Sequence, residues 1–208
     1  MEQHAARTVA AILLALVLGA CGRPSLIATP RAPSMTPGLP LASSGGTAPR
    51  CRAAALALRY GPGIVPMTGE HGAFYALVNH GQTACTLTGY PGIMLYDARG
   101  ALLPFRYTHH SQYVTKAGPR AVLLRPRASA YVLVAKYRCD LGVTRNAVTI
   151  RLALPGPRRA VLTRRVSGSR SGAAALSYCK GGAGGPGQTI AVSPIEPAPA
   201  AAGPFAGQ

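Results

Sequence analysis

Acidic residues are scarce in this chain. Its 208 residues include 5 Asp and Glu against 22 Lys and Arg, a formal net charge of +17 at pH 7. Hydrolysis of a glycosidic bond by paired carboxylates needs two acids at one site. The region after residue 50 supplies four acidic residues, widely separated in sequence: Glu70, Asp97, Asp140 and Glu196. This supply is too thin to predict paired-carboxylate catalysis.

Closely spaced cysteines and phosphate-binding loops are also missing. No Cys-x-x-Cys occurs, and the last four of the five cysteines follow one another at intervals of 34, 54 and 40 residues. Such intervals are typical of disulfides and not of the paired ligands of a zinc site. The glycine-rich stretch 181–187 lacks the lysine and the following helix of a P-loop. The sequence therefore predicts neither a zinc module nor a nucleotide-binding loop.

Candidate nucleophiles lack their partners. The stretch 168–172, Gly-Ser-Arg-Ser-Gly, imitates a nucleophile elbow, but Arg170 stands where that motif needs serine. His109 and His110 precede Ser111, and neighbours on a strand point to opposite faces, so one histidine at most could act as its base. We therefore expect no catalytic residue, and an envelope hydrolase is kept as an alternative.

Metal binding outside the cytoplasm is the other alternative. Copper or zinc could use imidazole and thioether ligands. The candidates are His71, His80, His109, His110, Met67 and Met94. None of them has a dedicated ligand spacing such as His-x-x-x-His, and histidines in loops and at strand ends are more often solvated. We therefore expect no cofactor and no metal.

No apolar run is long enough to span a bilayer, but a shorter run lies near the N terminus. It covers residues 9–20 behind Arg7, whereas a transmembrane helix takes about 20 apolar residues. A charged start, a short apolar centre and small residues at its end are typical of an export signal. The closing Leu-Gly-Ala-Cys, which ends at Cys21, resembles the lipobox of bacterial lipoproteins. We expect cleavage after residue 20 and lipidation of Cys21, which would hold the protein on the extracytoplasmic face of the cell membrane; a secretory signal with a chance cysteine is the alternative.

The rest of the chain divides by composition. Residues 21–50 join the expected lipidated cysteine to a Pro/Gly/Ser-rich stretch, and a coil of that length separates its ends by roughly 30 Å. From Cys51 onward, short apolar strands alternate with turn residues, which predicts one antiparallel sandwich or barrel over residues 51–196. The expected strands lie at 53–58, 74–81, 85–89, 93–97, 101–107, 121–126, 129–139, 147–154, 160–166 and 189–195. Residues 197–208 are predicted to be a disordered tail.

The run Cys-Thr-Leu-Thr-Gly-Tyr-Pro-Gly at 85–92 has Asn79 and Cys51 ahead of it and two cysteines behind it. In this order it resembles an actinobacterial envelope family, domain of unknown function 4232, over residues 51–196. The resemblance implies an immunoglobulin-like antiparallel β-sandwich without an assigned activity. It also implies disulfides Cys51–Cys85 and Cys139–Cys179, whereas the residues alone leave all three pairings of four cysteines open. Arg127 departs from the family pattern, which has glycine at that turn.

Positive charge is the one feature of the sequence that indicates a binding function. Residues 51–196 carry 18 basic and 4 acidic residues, a net +14, and a basic protein binds nucleic acid, anionic lipid or an acidic polymer. Nucleic-acid binding would need stacking aromatics between the basic residues, and the arginine pairs have none beside them. We expect a shared outer face on consecutive strands, formed by Arg151, Arg158, Arg159, Arg164 and Arg165. A second basic region would hold Arg120, Arg125 and Arg127.

These patterns together predict a non-catalytic, lipid-anchored cell-envelope protein. Its expected partners are the membrane, through Cys21, and anionic envelope lipids or polymers, with no nucleic acid. Arginines scattered as a solvated coat are the alternative to a binding surface. The molecular role, the oligomeric state and any protein partner are left open by the sequence.

Overall fold

The computed structural model describes residues 48–64, 70–137, 139, 143–157, 159–166, 176–180 and 186–204. Residues 45–208 belong to one compact unit. The expected signal, Cys21 and most of the tether lie outside the described residues, as do Met67, Arg158 and Arg170. Within the described ranges, no helix combines the length and the apolar character needed to cross a bilayer.

Twelve short strands form the described fold. They are β1 (Leu56–Tyr60), β2 (Glu70–Asn79), β3 (Cys85–Leu87), β4 (Gly92–Tyr96), β5 (Arg106–Thr108), β6 (Val122–Leu124), β7 (Ser129–Tyr137), β8 (Val143–Arg145), β9 (Thr149–Ala153), β10 (Val161–Arg165), β11 (Tyr178–Lys180) and β12 (Thr189–Val192). One helix, α1 (Pro199–Ala202), and two 3₁₀ turns, Ala53–Ala55 and Pro186–Gln188, complete the described elements. The all-β prediction is confirmed.

The strands assemble into two main sheets and two smaller pairs. A five-stranded sheet has the order β1-β2-β7-β12-β5, and a three-stranded sheet has the order β10-β9-β4. The pairs are β3-β6 and β11-β8. Neighbouring strands run antiparallel except β12 and β5, which are parallel. The arrangement is sandwich-like, because the two main sheets bury side chains against one core.

Strand alternation explains how that core is built. In β9, Ile150 and Leu152 are buried while Arg151 between them is exposed, as expected for a strand with one face on the core. These two residues belong to the same core as Leu77 of β2 and Val132 of β7. The core therefore lies between the five-stranded and the three-stranded sheet.

The central strand β7 is buried on both faces. Its second face, with Leu133 and Ala135, joins Phe74 of β2 in a smaller apolar cluster. Val114 and Ala202 of α1 are buried in the same cluster. A strand covered on both sides has a continuous apolar sequence in place of alternation, and the run Tyr-Val-Leu-Val-Ala in β7 follows this rule.

Both ends of the domain extend past their predicted boundaries. At the N terminus, the amide of Thr86 donates to the carbonyl of Pro49 over 2.8 Å, and its hydroxyl donates to the carbonyl of Ala48 over 2.6 Å. At the C terminus, residues 197–204 include α1, and Ala202 is fully buried. The prediction of a disordered tail at 197–208 is therefore wrong for residues 197–204, because this segment covers the second face of the five-stranded sheet.

Candidate functional site

The four domain cysteines form two close pairs. Cys51 and Cys85 have their Cα atoms 4.8 Å apart, and Cys139 and Cys179 have theirs 5.5 Å apart, within the range of disulfides. The first bond joins the segment before β1 to β3, and the second joins the segment after β7 to β11. These are the two pairs that the family resemblance implies.

Arg151 and Arg165 share the outer face of the three-stranded sheet. In the β9–β10 register, Arg151 lies opposite Thr163 and Arg165 lies opposite Thr149, so both arginines point to one side. Both are exposed. The guanidinium carbon of Arg151 lies 4.8 Å from the ring centre of Tyr96 on β4, a cation–π distance.

Arg164 points to the other side of β10. It lies opposite buried Ile150, its guanidinium carbon is 4.5 Å from the ring centre of Tyr60, and its Nη1 donates to the carbonyl of Leu58 over 3.2 Å. The shared outer face predicted for the five arginines is therefore wrong for Arg164, since adjacent residues of a strand alternate between faces. Arg159 lies in the turn before β10, and Arg158 lies outside the described residues.

A partly buried polar cluster around Arg164 was not anticipated from the sequence. Tyr60 and Tyr75 lie opposite each other in β1 and β2, with ring centres 5.9 Å apart. In the described part of the chain, the Tyr75 hydroxyl and Arg164 Nε are buried without a hydrogen-bond partner. Burial raises the pKa of Tyr75 far above its ordinary value. A tyrosine in an apolar strand pattern gives no sequence signal that separates this cluster from ordinary core.

The two acidic side chains that the structure describes are both paired with arginine. Oδ2 of Asp97 lies 2.6 Å from Nη2 of Arg145, and Oε2 of Glu196 lies 2.9 Å from Nη2 of Arg120. The Arg145 hydrogen bond, with help from the backbone amide of Ala101, holds the pKa of Asp97 below its ordinary value. Neither of these carboxylates is left to neutralise Arg151, Arg165 or the other exposed arginines.

Lys136 is a buried cation close to a disulfide. It is 2% exposed on β7, and its Nζ donates to the carbonyl of Tyr137 over 2.6 Å. The same nitrogen lies 3.4 Å from Sγ of Cys139. Burial lowers the pKa of Lys136 from 10.5 to about 8. A single lysine inside a long apolar strand was the available sequence signal.

Among the histidine candidates, His109 has its imidazole held by a ring contact and a backbone contact. The ring of His109 stacks on Tyr90 with centres 3.9 Å apart, and its Nδ1 lies 3.2 Å from the carbonyl oxygen of Val192. Ser111 Oγ accepts a hydrogen bond from the amide of Tyr113 over 3.2 Å. The structure does not bring either neighbouring histidine into hydrogen-bond contact with Ser111 within the described ranges. No group of three His, Cys, Asp or Glu that could hold a metal occurs among the described residues.

Two clefts lie on either side of the β9–β10 turn. The larger has a volume of about 780 Å³ and is bordered by Arg50, Arg52 and Arg159. The smaller, about 430 Å³, also includes Arg159 and is lined by Tyr90 of the 85–92 motif and by His109. The turn therefore separates an arginine-bordered cleft from an aromatic one, and Arg159 reaches both.

Comparison with known proteins gives a family and no further relative. The model of the family described as Domain of unknown function (DUF4232) matches residues 51–196. No curated protein and no solved structure matches the chain. Since the match covers more than half of the chain, the protein belongs to the DUF4232 family.

Proposed function

We propose that this protein is an exported lipoprotein, anchored through Cys21, whose β-sandwich is a non-catalytic binding module for anionic surfaces of the cell envelope. The charge distribution of the described domain is the observation that supports the binding role. Its two described carboxylates are tied to Arg120 and Arg145, and Arg151 and Arg165 lie exposed on one sheet face. The envelope assignment rests on the sequence of residues 1–21.

The outer face formed by Arg151 and Arg165 can act by simple electrostatics. Near an anionic surface each basic side chain contributes about 1 kcal/mol, and this attraction decays over a Debye length of about 8 Å at physiological salt. Binding through this face would be weak for each residue, additive and sensitive to salt. Lipid anchoring would keep such a face close to anionic envelope components at all times.

Anchoring is tested by substituting the lipidation site. Cys21→Ser should leave the full chain unprocessed or release it from the membrane, because no sulfur remains to carry the acyl chains. Ser25→Ala, a change in the same stretch, should keep the parental mass and fractionation. Membrane fractionation and intact-protein mass spectrometry measure both. Unchanged mass and membrane retention in the Cys21 variant would overturn the anchoring proposal.

Surface binding is tested with vesicles and the 45–208 fragment, which contains both disulfides and the described core. We expect binding to anionic phosphatidylglycerol vesicles at low salt, progressive loss with added salt and no binding to neutral phosphatidylcholine vesicles. Arg151→Gln with Arg165→Gln should weaken anionic binding by about 30-fold, the effect of two contributions near 1 kcal/mol each. Equal binding to both vesicle types, or none to the anionic type, would reduce these arginines to a solvated coat.

A further inference from the structure

The larger cleft lies between the N-terminal segment 48–53, here called the strap, and the β9–β10 turn. We call it the strap cleft, and its lining consists of Arg50, Cys51, Arg52, Ala53, Thr86, Leu87, Thr88, Ala121, Leu154, Pro155, Gly156, Pro157, Arg159 and Ala160. Its volume of about 780 Å³ falls in the range of small-molecule sites. The strap is fixed there by the Cys51–Cys85 bond and by backbone hydrogen bonds to Thr86.

Three guanidinium groups border the strap cleft without internal partners. Arg50, Arg52 and Arg159 are exposed. Their backbones join local hydrogen bonds, but their guanidinium groups make no hydrogen bond or ion pair within the described residues. Among the described residues, the lining contains no acidic side chain. Since the described carboxylates are committed elsewhere, these three positive charges are available to an external anion.

The backbone of Gly156 creates room for one of these arginines. A Cβ added at Gly156 would lie 2.9 Å from Nη1 of Arg50, and its φ of +123° is a conformation that favours glycine. Arg159, in the same turn, has a φ of 30°. The turn thus brings Arg159 to the cleft and lets Arg50 lie against its backbone.

The floor of the strap cleft is aliphatic. Leu87 and Leu154 are buried beneath it, and none of the described lining residues has an aromatic ring. Sugars and nucleobases are commonly bound by stacking on aromatic rings, which this cleft does not offer. A guanidinium fork matches the geometry of carboxylate and phosphate, and an aliphatic floor favours hydrocarbon.

We propose that the strap cleft binds one anionic lipid, with its carboxylate or phosphate head group on the three arginines and part of its hydrocarbon chain on the aliphatic floor. This inference rests on the proposed function for the nature of the partner, an anionic envelope lipid. Binding in the cleft differs from binding at the outer face of Arg151 and Arg165. The cleft is a saturable one-to-one site, whereas the outer face is a diffuse electrostatic surface.

The first test titrates the 45–208 fragment with decanoate below its micelle concentration. Amide chemical shifts followed by NMR should saturate at one decanoate per chain and should cluster at residues 50–53, 86–88 and 154–160. Decanol, which lacks the charge, and acetate and inorganic phosphate, which lack the chain, should each bind at least about tenfold more weakly, a difference of about 1.4 kcal/mol. Equal binding of acetate or phosphate would show a site for free anions and would overturn the lipid proposal.

The second test compares two triple variants that remove the same charge. Arg50→Gln, Arg52→Gln and Arg159→Gln together should weaken decanoate binding by at least about tenfold. The matched control is Arg99→Gln, Arg106→Gln and Arg125→Gln, which changes three exposed arginines outside the cleft. This control should keep the parental affinity. Equal loss in both variants, or shifts that cluster outside the cleft, would contradict the proposal.

The two proposals fail in different ways. Binding to anionic vesicles without a saturable decanoate site would overturn the proposal for the strap cleft but would still support the proposal for the outer face. A decanoate site without any preference for anionic vesicles would contradict the outer face alone. Polyglutamate that displaces decanoate at equal carboxylate concentration would show recognition of charge without hydrocarbon, and would overturn the assignment of a lipid.

Discussion

Arg127 holds a backbone conformation that suits glycine. Its φ is +67°, in the left-handed region that costs a residue with a Cβ about 1–2 kcal/mol. Its amide donates to the carbonyl of Asn79 over 2.7 Å, so the turn is fixed by the fold despite this cost. The family resemblance implies glycine at this position, and Arg127 therefore occupies a strained position in that same turn.

Replacing Arg127 by glycine should stabilise the protein. We expect Arg127→Gly to raise the free energy of unfolding by about 1 kcal/mol, because relief of the left-handed strain exceeds the extra entropy that glycine loses on folding. Urea titration of the 45–208 fragment measures the change. Arg125→Gly, two residues away, is the control and should be neutral or destabilising. A loss of stability with Arg127→Gly would show that its side chain contributes more than its backbone costs.

Lys136 should make stability depend on pH in the alkaline range. Its pKa is about 8 in the fold and 10.5 ordinarily, so between these values the unfolded chain binds a proton that the folded chain does not. The contribution of Lys136 to stability therefore rises as the pH increases from about 8 to about 10.5. Lys136→Met should remove this rise and stabilise the protein at pH 7 by about 1 kcal/mol, since a buried amine is replaced by an apolar chain of similar length.

The matched control for Lys136 is Lys116, which is exposed. Lys116→Met should leave the pH dependence as in the parent. Urea titrations at pH 7, 8.5 and 10 measure all three proteins. An alkaline rise that persists in the Lys136 variant would assign the effect to another group.

At the scale of elements, α1 is a cover for the central sheet. The amide of Thr115 donates to the carbonyl of Ala202 over 2.8 Å, and a Cβ added at Gly203 would lie 2.5 Å from Cδ2 of Leu133. A chain that ends at residue 196, the last residue of the family match, would expose Leu133 and Phe74. We expect this truncation to lower the free energy of unfolding by about 2–3 kcal/mol, the effect of exposing one or two large apolar side chains.

A chain that ends at residue 204 serves as the control for this truncation and should keep the parental stability. Gly203→Leu in the longer chain should destabilise it as well, because its side chain would meet Leu133 and the carbonyl of Tyr113. Differential scanning calorimetry compares the three. Equal melting temperatures for chains ending at 196 and 204 would show that α1 contributes nothing to the sheet.

The elements also show how far sequence reasoning reaches. The strand predicted at 147–154 contains β9, whose alternating apolar and polar residues are the period-two signal of a strand with one buried face. The inward direction of Arg164 was not predictable from the charge pattern, since a one-residue change of register reverses every side chain of a strand. The strap cleft was also out of reach, because residues 50–53, 86–88 and 154–160 meet through tertiary contacts and share no local motif.

For the whole molecule, each disulfide closes a long loop, of 34 residues for Cys51–Cys85 and 40 for Cys139–Cys179. In the chain-entropy model each closure stabilises the fold by about 4 kcal/mol. The two bonds differ in position. The first holds the strap, and the second lies just after the C-terminal end of β7, next to Lys136. The two disulfides should therefore contribute equally to the stability of the fold but unequally to ligand binding in the strap cleft.

Removing each disulfide by a pair of alanine substitutions separates these contributions. Cys51→Ala with Cys85→Ala and Cys139→Ala with Cys179→Ala should each lower the free energy of unfolding by about 2–5 kcal/mol, measured by urea titration. Under conditions where both variants remain folded by circular dichroism, the first should lose decanoate affinity because Arg50 and Arg52 are no longer fixed beside β3. The second should keep the parental affinity, as its bond touches none of the cleft residues. Parental affinity in the Cys51–Cys85 variant would mean that the backbone hydrogen bonds to Thr86 are sufficient to hold the strap, and loss in both would trace the affinity to global stability.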